Sequence, residues 1–300
     1  MRKLAFLGLN DDQLPYLSEA ISLGLEIHGF DRNLSAPGRE LVQNFYNYGY
    51  DETELIERAL FKAGFGQFDL VFTAASQFAH LSVARLARRF GLIYPSTHSI
   101  ETVLSKFRYY PFFQSLGIPI PPTTYVRSAS ELQGALARAK PGSNYYLKSD
   151  KSKNPRYVFS GRAEELSNAD IPWIRDQFLS EGYVLQEEVH GMHLRLNILE
   201  DRVAVFDFHT GDRVDSILPK LEEVNVLGLL SKLGSQLGMI NWLLKYDLVF
   251  SPGEFSLLDI GIDPPSRLIE HRRGKYLSTE ALYLRHYLGI GANSASELFR

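Results

Sequence analysis

The segment from residue 96 to residue 148 places two lysines on separate predicted elements, on either side of a turn. Apolar side chains recur through residues 100–116 at the spacing of one buried helix face, and Gly117 follows where an αL residue would end the helix. Three of the next five residues are proline, which favours a turn. A short apolar run then predicts a strand that ends at Lys148. Lys106, which opens a helix, and Lys148 therefore lie on elements of known direction.

The first 95 residues alternate short apolar runs with helix-like segments. Predicted strands lie at residues 3–9, 24–31, 68–73 and 92–95. Predicted helices separate them, one ending at about Leu23 and one at residues 77–90. This alternation is typical of βαβ units and predicts a small doubly wound domain with a parallel sheet. The sequence at Gly8-x-Asn10 does not match the Gly-x-Gly-x-x-Gly phosphate turn, so no dinucleotide site is predicted there.

Composition excludes several classes of protein. The chain has 300 residues, 45% of them apolar, enough for a sizeable core in two or three lobes. The formal net charge is -3 with both signs interspersed, so neither nucleic acid nor a membrane surface is a predicted partner. No run approaches the roughly 18 apolar residues of a membrane span, and we expect a cytoplasmic protein. Because cysteine is absent, any catalysis must use oxygen and nitrogen groups.

A polar run at residues 186–193 lies between two predicted strands, and Gly191 gives the turn. By strand alternation Arg195 and Asn197 share a face with His193, although surface placement is the more common explanation for any one of them. A charged hairpin with no ligand would account for the same run.

Two later runs, at residues 245–250 and 255–259, are joined by a Pro-Gly turn and predict a β-hairpin. With the period of two of a strand, Asp247 and Asp259 would face each other, and Asp263 lies just beyond. Three hard oxygen donors are what Mg²⁺ accepts when nucleotide phosphates complete its octahedron. The pattern therefore predicts a metal site that bridges phosphates.

The order of these features resembles the ATP-grasp superfamily over nearly the whole chain. The resemblance implies a doubly wound α/β pre-ATP-grasp domain at residues 1–95, a central ATP-grasp subdomain at 96–182 and a C-terminal ATP-grasp subdomain at 183–300. The implied fold class is α/β, with α+β character in the C-terminal half of the chain. In that family two lysines hold nucleotide phosphates, a hinge grips adenine, and a polar residue after the hinge glycine addresses the ribose. The cofactor-binding residues that the resemblance implies are Lys106, Lys148, Glu187, Glu188, Val189 and His193.

The metal pattern departs from the family pattern at two positions. Asp259 stands where the family has Glu, which moves the carboxylate back by about one C–C bond length, and Gly261 stands where it has Asn. Asp247, Asp259 and Asp263 are the predicted metal ligands. Asp263 would replace the missing amide, and weak metal binding, or nucleotide binding without turnover, would account for the same departure. Arg267 falls where many members place a guanidinium that steadies the acyl phosphate, and it is the predicted catalytic residue.

The loop after Lys148 also departs from the family, since residues 149–160 contain no glycine. Glycine lets backbone amides approach phosphate closely, as the family's phosphate loop does. Here Lys151, Lys153 and Arg156 could meet the phosphate oxygens instead. A solvated hairpin tip would explain the same three cations.

The activity that the resemblance implies is an ADP-forming carboxylate–amine ligase that uses ATP and Mg²⁺. Its substrates would be a small-molecule carboxylate and amine, and the chain length favours an amino acid or a short peptide over a biotin-dependent carboxylase. A homodimer is the default assembly for a soluble enzyme. Two alternatives stay open at this point: a nucleotide-binding regulatory or scaffold protein without turnover, and an unrelated α/β binding protein.

Overall fold

The computed structural model describes residues 2–151, 158–168, 182–200, 202–262 and 279–289. The strands are β1 Lys3–Leu7, β2 Glu26–Phe30, β3 Asn44–Tyr46, β4 Leu70–Thr73, β5 Thr123–Val126, β6 Asn144–Ser149, β7 Val158–Arg162, β8 Tyr183–Glu187, β9 Met192–Leu199, β10 Arg202–Asp207, β11 Leu244–Ser251 and β12 Glu254–Gly261. The helices are α1 Leu14–Ser22, α2 Thr53–Lys62, α3 Ala79–Phe90, α4 Thr97–Leu104, α5 Lys106–Ser115, α6 Ala129–Ala137, α7 Ala163–Asn168, α8 Leu218–Glu223, α9 Val226–Gln236 and α10 Thr279–Tyr287. No helix of the described part is long and apolar enough to cross a membrane.

The first sheet is parallel, with strand order β3-β2-β1-β4. Alternate residues of β1 pack on opposite faces, Leu4 and Phe6 with α1 and α10, and Ala5 and Leu7 with α2 and α3. Helices on both faces make this a doubly wound sheet, so the predicted fold class is confirmed for this part.

One local prediction in this region was wrong, and one strand was missed. Residues 92–95 form no strand but link α3 to α4; Ile93 is 95% exposed, and Tyr94 packs against Trp242 instead of a neighbouring strand. Strand β3 was not predicted, because three residues are too short for a periodic signal.

The second sheet is antiparallel, with order β5-β8-β6-β7. Helices α6 and α7 cover one face through a small apolar core, which leaves alternate polar residues of β6 on the other face. Strand β8, which we predicted to open the third domain, pairs within this sheet. The domain limits themselves stay a prediction.

The third sheet is also antiparallel, with order β10-β9-β11-β12. Its apolar face packs against α4, α5, α8 and α9 in the largest core of the described residues, and its other face carries polar side chains. Antiparallel sheets with one polar face and one buried face match the α+β prediction for this half.

The predicted single helix at residues 100–116 is two helices that meet at Ser105. Ser105 has an extended backbone (φ -119°, ψ 120°), and its hydroxyl donates to the carboxylate of Asp150. The amide of Phe107 donates to the same carboxylate at 2.8 Å. A buried acid after β6 thus caps α5, which a helical periodicity does not reveal. Lys106 opens this second helix, as we predicted for it.

Candidate nucleotide and metal site

Lys106 lies at the buried end of α5, against the chain just beyond β6. Only 3% of the residue is exposed, and its Nζ donates to the backbone oxygen of Asp150 at 3.3 Å. Asp150 is itself buried and is fixed by the cap on α5. Because Asp150 follows Lys148 by two residues, the capping contact brings the two lysines to the same end of β6.

Lys148 projects from the polar face of the second sheet and belongs to a chain of hydrogen bonds. Its Nζ donates to Oε1 of Gln186 at 2.7 Å, and Nε2 of Gln186 donates to the hydroxyl of Thr123 at 3.0 Å. The ammonium also lies over the ring of Tyr146, 5.6 Å from its centroid. This arrangement orients a half-buried cation on the polar face of the sheet.

The two hinge glutamates point in different directions, because neighbouring residues at a strand end face opposite sides. Glu188 accepts from Asn144 at 2.9 Å and from Tyr146 at 3.1 Å, beside Lys148. The bond from Asn144 lowers the pKa of Glu188, and the bond from Tyr146 acts in the same direction. Glu187 instead forms an ion pair with Lys140 at 2.9 Å.

Val189 and His193 complete the predicted hinge. Val189 is half-buried in the link between β8 and β9, and His193 lies at the start of β9. The His193 ring lies 5.0 Å from that of His209, measured between centroids. Burial lowers the pKa of His193, and the neighbouring His209 lowers it further. Lys148 acts in the same direction, whereas Glu188 and Asp207 oppose it.

We expect the free energy of unfolding to fall between about pH 7 and pH 5.5, in part through His193. Its pKa in the folded chain is lower than the ordinary value of 6.5, so the unfolded chain takes up the proton first as the pH falls. Glu188 contributes only at lower pH, because its pKa is lowered from 4.5. Denaturant unfolding at both pH values should give a smaller loss for His193→Gln than for the wild type. An unchanged loss would contradict this, and the exposed His98→Gln serves as the control.

Asp247 and Asp259 face each other on β11 and β12, as the strand period predicted. Arg195 of β9 lies on the other side of Asp247 and donates two hydrogen bonds to it, at 2.7 and 2.9 Å. Asp259 accepts from the hydroxyl of the fully buried Tyr109 at 2.8 Å. The two carboxylates are therefore held in place by side chains from two different elements.

This donor set fits a cation that is also held by phosphate oxygens. The described part of the chain contains no group of three His, Asp or Glu side chains arranged for a metal. Two facing carboxylates are nevertheless enough protein ligands for Mg²⁺, because water and phosphate oxygens usually fill its remaining coordination positions. The predicted third ligand, Asp263, lies outside the described residues, as do the predicted catalytic residue Arg267 and the loop cations Lys153 and Arg156.

The structure thus brings Lys106 and Lys148 to the carboxyl end of β6, where Lys106 contacts Asp150. Glu188 lies toward the opposite end, on Asn144 and Tyr146. Asp247 faces Asp259 on the third sheet. The side chain of Glu187 is directed to Lys140 instead. Sequence reasoning did not assign Asn144 and Tyr146, although both share the face of Lys148 by strand alternation. The alternation of side chains along β6 could therefore have identified both residues from the sequence.

Solved structures support the fold but not the details of the site. An L-amino acid ligase from Bacillus licheniformis aligns over 100% of this chain and 77% of its own, with a TM-score of 0.73 and 16% identity. N5-carboxyaminoimidazole ribonucleotide synthetase from Thermotoga maritima aligns over 97% and 77%, with a TM-score of 0.72 and 16% identity. The chain has the ATP-grasp fold.

A third structure with this ATP-grasp fold contains nucleotide. The biotin carboxylase domain of 2-oxoglutarate carboxylase from Hydrogenobacter thermophilus was solved with MgADP, ADP and bicarbonate. It aligns over 96% of this chain and 70% of its own, with a TM-score of 0.73 and 14% identity. No protein-family model matches the sequence, and no curated protein matches it either.

Proposed function

We propose that the protein is an ATP-dependent, ADP-forming ligase that joins a carboxylate to an amine. The observation that carries the proposal is the meeting of Lys106 and Lys148 at one end of β6, in a chain with the ATP-grasp fold. Two cations from separate elements are suited to the charge of a triphosphate. Glu188, Val189 and His193 would lie along the adenine and ribose, and Glu187 would contribute there through its backbone.

The proposed reaction has two steps. An oxygen of the substrate carboxylate bonds to the γ-phosphorus of ATP, the bond to the β,γ-bridging oxygen breaks, and ADP leaves. The amine then bonds to the acyl carbon, the bond to the phosphate oxygen breaks, and the amine proton is released. The chain's own task is to align the groups and to offset negative charge with Lys106, Lys148 and Arg267. Mg²⁺, when bound by Asp247 and Asp259, would neutralise further phosphate charge.

The proposed substrates are an amino acid or short peptide and a second amine of that size. One structurally similar protein is an L-amino acid ligase, which supports this choice. We also propose that the protein acts in the cytoplasm, that it forms a homodimer, and that the domain limits follow the sequence prediction.

The proposal is tested by measuring ADP formation from Mg-ATP in the presence of pairs of free amino acids. We expect at least one pair to stimulate ADP formation and to yield one amide for each ADP. A carboxylate labelled with ¹⁸O should transfer one labelled oxygen to the released phosphate, because that oxygen bridges carbon and phosphorus in the acyl phosphate. ATP binding with no stimulated turnover by any pair would instead favour the nucleotide-binding protein without catalysis.

A further inference from the structure

Arg195 lies on the polar face of the third sheet, in the same row as the two facing carboxylates. It pairs with Asp247 across β9 and β11, and Asp247 pairs with Asp259 across β11 and β12. These three neighbouring positions therefore carry one guanidinium and two carboxylates. From the sequence, surface placement was the more common explanation for Arg195, but its side chain is only 29% exposed.

The guanidinium of Arg195 has a fixed orientation. Its Nε and Nη2 donate to the two oxygens of Asp247 at 2.7 and 2.9 Å, and its Cζ lies 4.9 Å from the centre of the Phe208 ring. The third nitrogen, Nη1, donates no hydrogen bond to any residue that the structure describes. Because the guanidinium is planar and always charged, Nη1 is a charged donor in a defined position.

The position of Arg195 along β9 lies between the predicted ribose residue and the carboxylates. His193 and Arg195 are half-buried and alternate with buried leucines, so they share one face of the strand, about 7 Å apart. The ring of Phe208 lies beside both, with its centroid 6.4 Å from that of His193. A nucleotide with its ribose at His193 and its metal at Asp247 would therefore carry its phosphates past Arg195.

We propose that Arg195 binds a phosphate group of the nucleotide through Nη1 while Nε and Nη2 hold Asp247. The guanidinium then connects the carboxylate row to the phosphates and acts in addition to Lys106 and Lys148. A planar fork of donors can hold two anionic partners at once, which a single ammonium does less well. This assignment rests on the proposed function, since it adds a phosphate-binding residue to the same nucleotide site.

Replacement of Arg195 by methionine keeps an unbranched side chain and removes the charged donors. The affinity for metal-free ATP, measured with EDTA present, should fall by roughly 10- to 100-fold, because a hydrogen bond between charged groups is lost. The affinity for adenosine, which has no phosphate, should stay within about threefold. Calorimetric titration measures both affinities. A residue that only supported the sheet would lower the melting temperature and leave the ratio of the two affinities unchanged.

Binding of Mn²⁺ to the free protein should change in the opposite direction. Without the guanidinium, Asp247 and Asp259 lose an adjacent positive charge, so Arg195→Met should bind Mn²⁺ roughly tenfold more tightly than the wild type. Electron paramagnetic resonance of the unbound Mn²⁺ measures this affinity. Arg89→Met breaks an exposed ion pair with Glu57, between two helices of the first sheet, and should change neither the ATP nor the Mn²⁺ affinity.

Replacement of Arg195 by lysine provides a second variant if methionine destabilises the sheet. Lysine keeps the charge and can still pair with Asp247, but it has no planar fork for a second partner. We expect a melting temperature near that of the wild type and an affinity for metal-free ATP at least about fivefold lower. Full affinity for metal-free ATP in either variant would overturn the assignment, as would a wild type that binds ATP only with Mg²⁺.

The same experiments separate this assignment from the proposed ligase function. A wild type that forms an amide from ATP, with full metal-free ATP affinity in Arg195→Met, would overturn the assignment alone. A wild type that forms no amide with any pair of amino acids, with the expected loss of ATP affinity in the variant, would support the assignment and contradict the ligase function.

Discussion

Replacement of Lys148 by alanine is expected to remove most of the stabilisation that Mg-ATP gives the protein. A ligand at 100 times its dissociation constant stabilises the folded state by about 2.7 kcal/mol. Loss of a charged hydrogen bond to phosphate weakens binding by up to about 100-fold, and the same ATP concentration would then contribute only about 0.4 kcal/mol. The measurement is the difference in melting temperature with and without Mg-ATP.

The melting temperatures with and without Mg-ATP are compared within each variant, because Lys148 also bonds to the buried Gln186. Any loss of that bond changes the free protein and the complex alike. Lys232→Ala, an exposed lysine on α9, is the matched control and should keep the full ATP-dependent shift. A full shift in Lys148→Ala would refute a phosphate contact for this residue.

The second large effect is expected from Asp247→Asn, which breaks the ion pair with Arg195. The side chains of this pair are only 16% and 29% exposed, so the substitution leaves a largely buried guanidinium without its counter-charge. Breaking a buried pair costs about 3–5 kcal/mol, and the partial exposure of this one reduces the expected loss to about 2–3 kcal/mol. Chemical denaturation of the free protein measures that loss.

The chain provides a matched control for this experiment. Arg32 and Asp51 also form an ion pair with two hydrogen bonds, at 2.7 and 2.9 Å, both from one guanidinium nitrogen, but their side chains are 67% and 61% exposed. Asp51→Asn should therefore cause little measurable change, because water screens an exposed pair. Equal losses in the two variants would show that burial does not set the strength of the Arg195–Asp247 pair.

Local periodicity predicted the parts of the site that depend on one strand or one helix start. The facing positions of Asp247 and Asp259 follow from the period of two, and Lys106 opens α5 as the residue pattern indicated. The order of such features along the chain was sufficient for the ATP-grasp fold.

Contacts between distant segments could not be predicted in this way. The carboxylate of Asp150 divides the predicted helix at Ser105, although 45 residues separate the two. The approach of Gln77 to Gly261 joins the first sheet to the last strand of the third. Neither contact leaves a periodic trace in the sequence, because each depends on how separately formed elements pack together.

Calorimetric titration of the wild-type protein with Mg-ATP tests the central claim most directly. The account predicts one nucleotide bound per chain, displaced by Mg-ADP, with much weaker binding in Lys148→Ala and Lys106→Ala. A well-folded wild-type protein that takes up no Mg-ATP at millimolar concentration would contradict the nucleotide site, and with it the proposed ligase function.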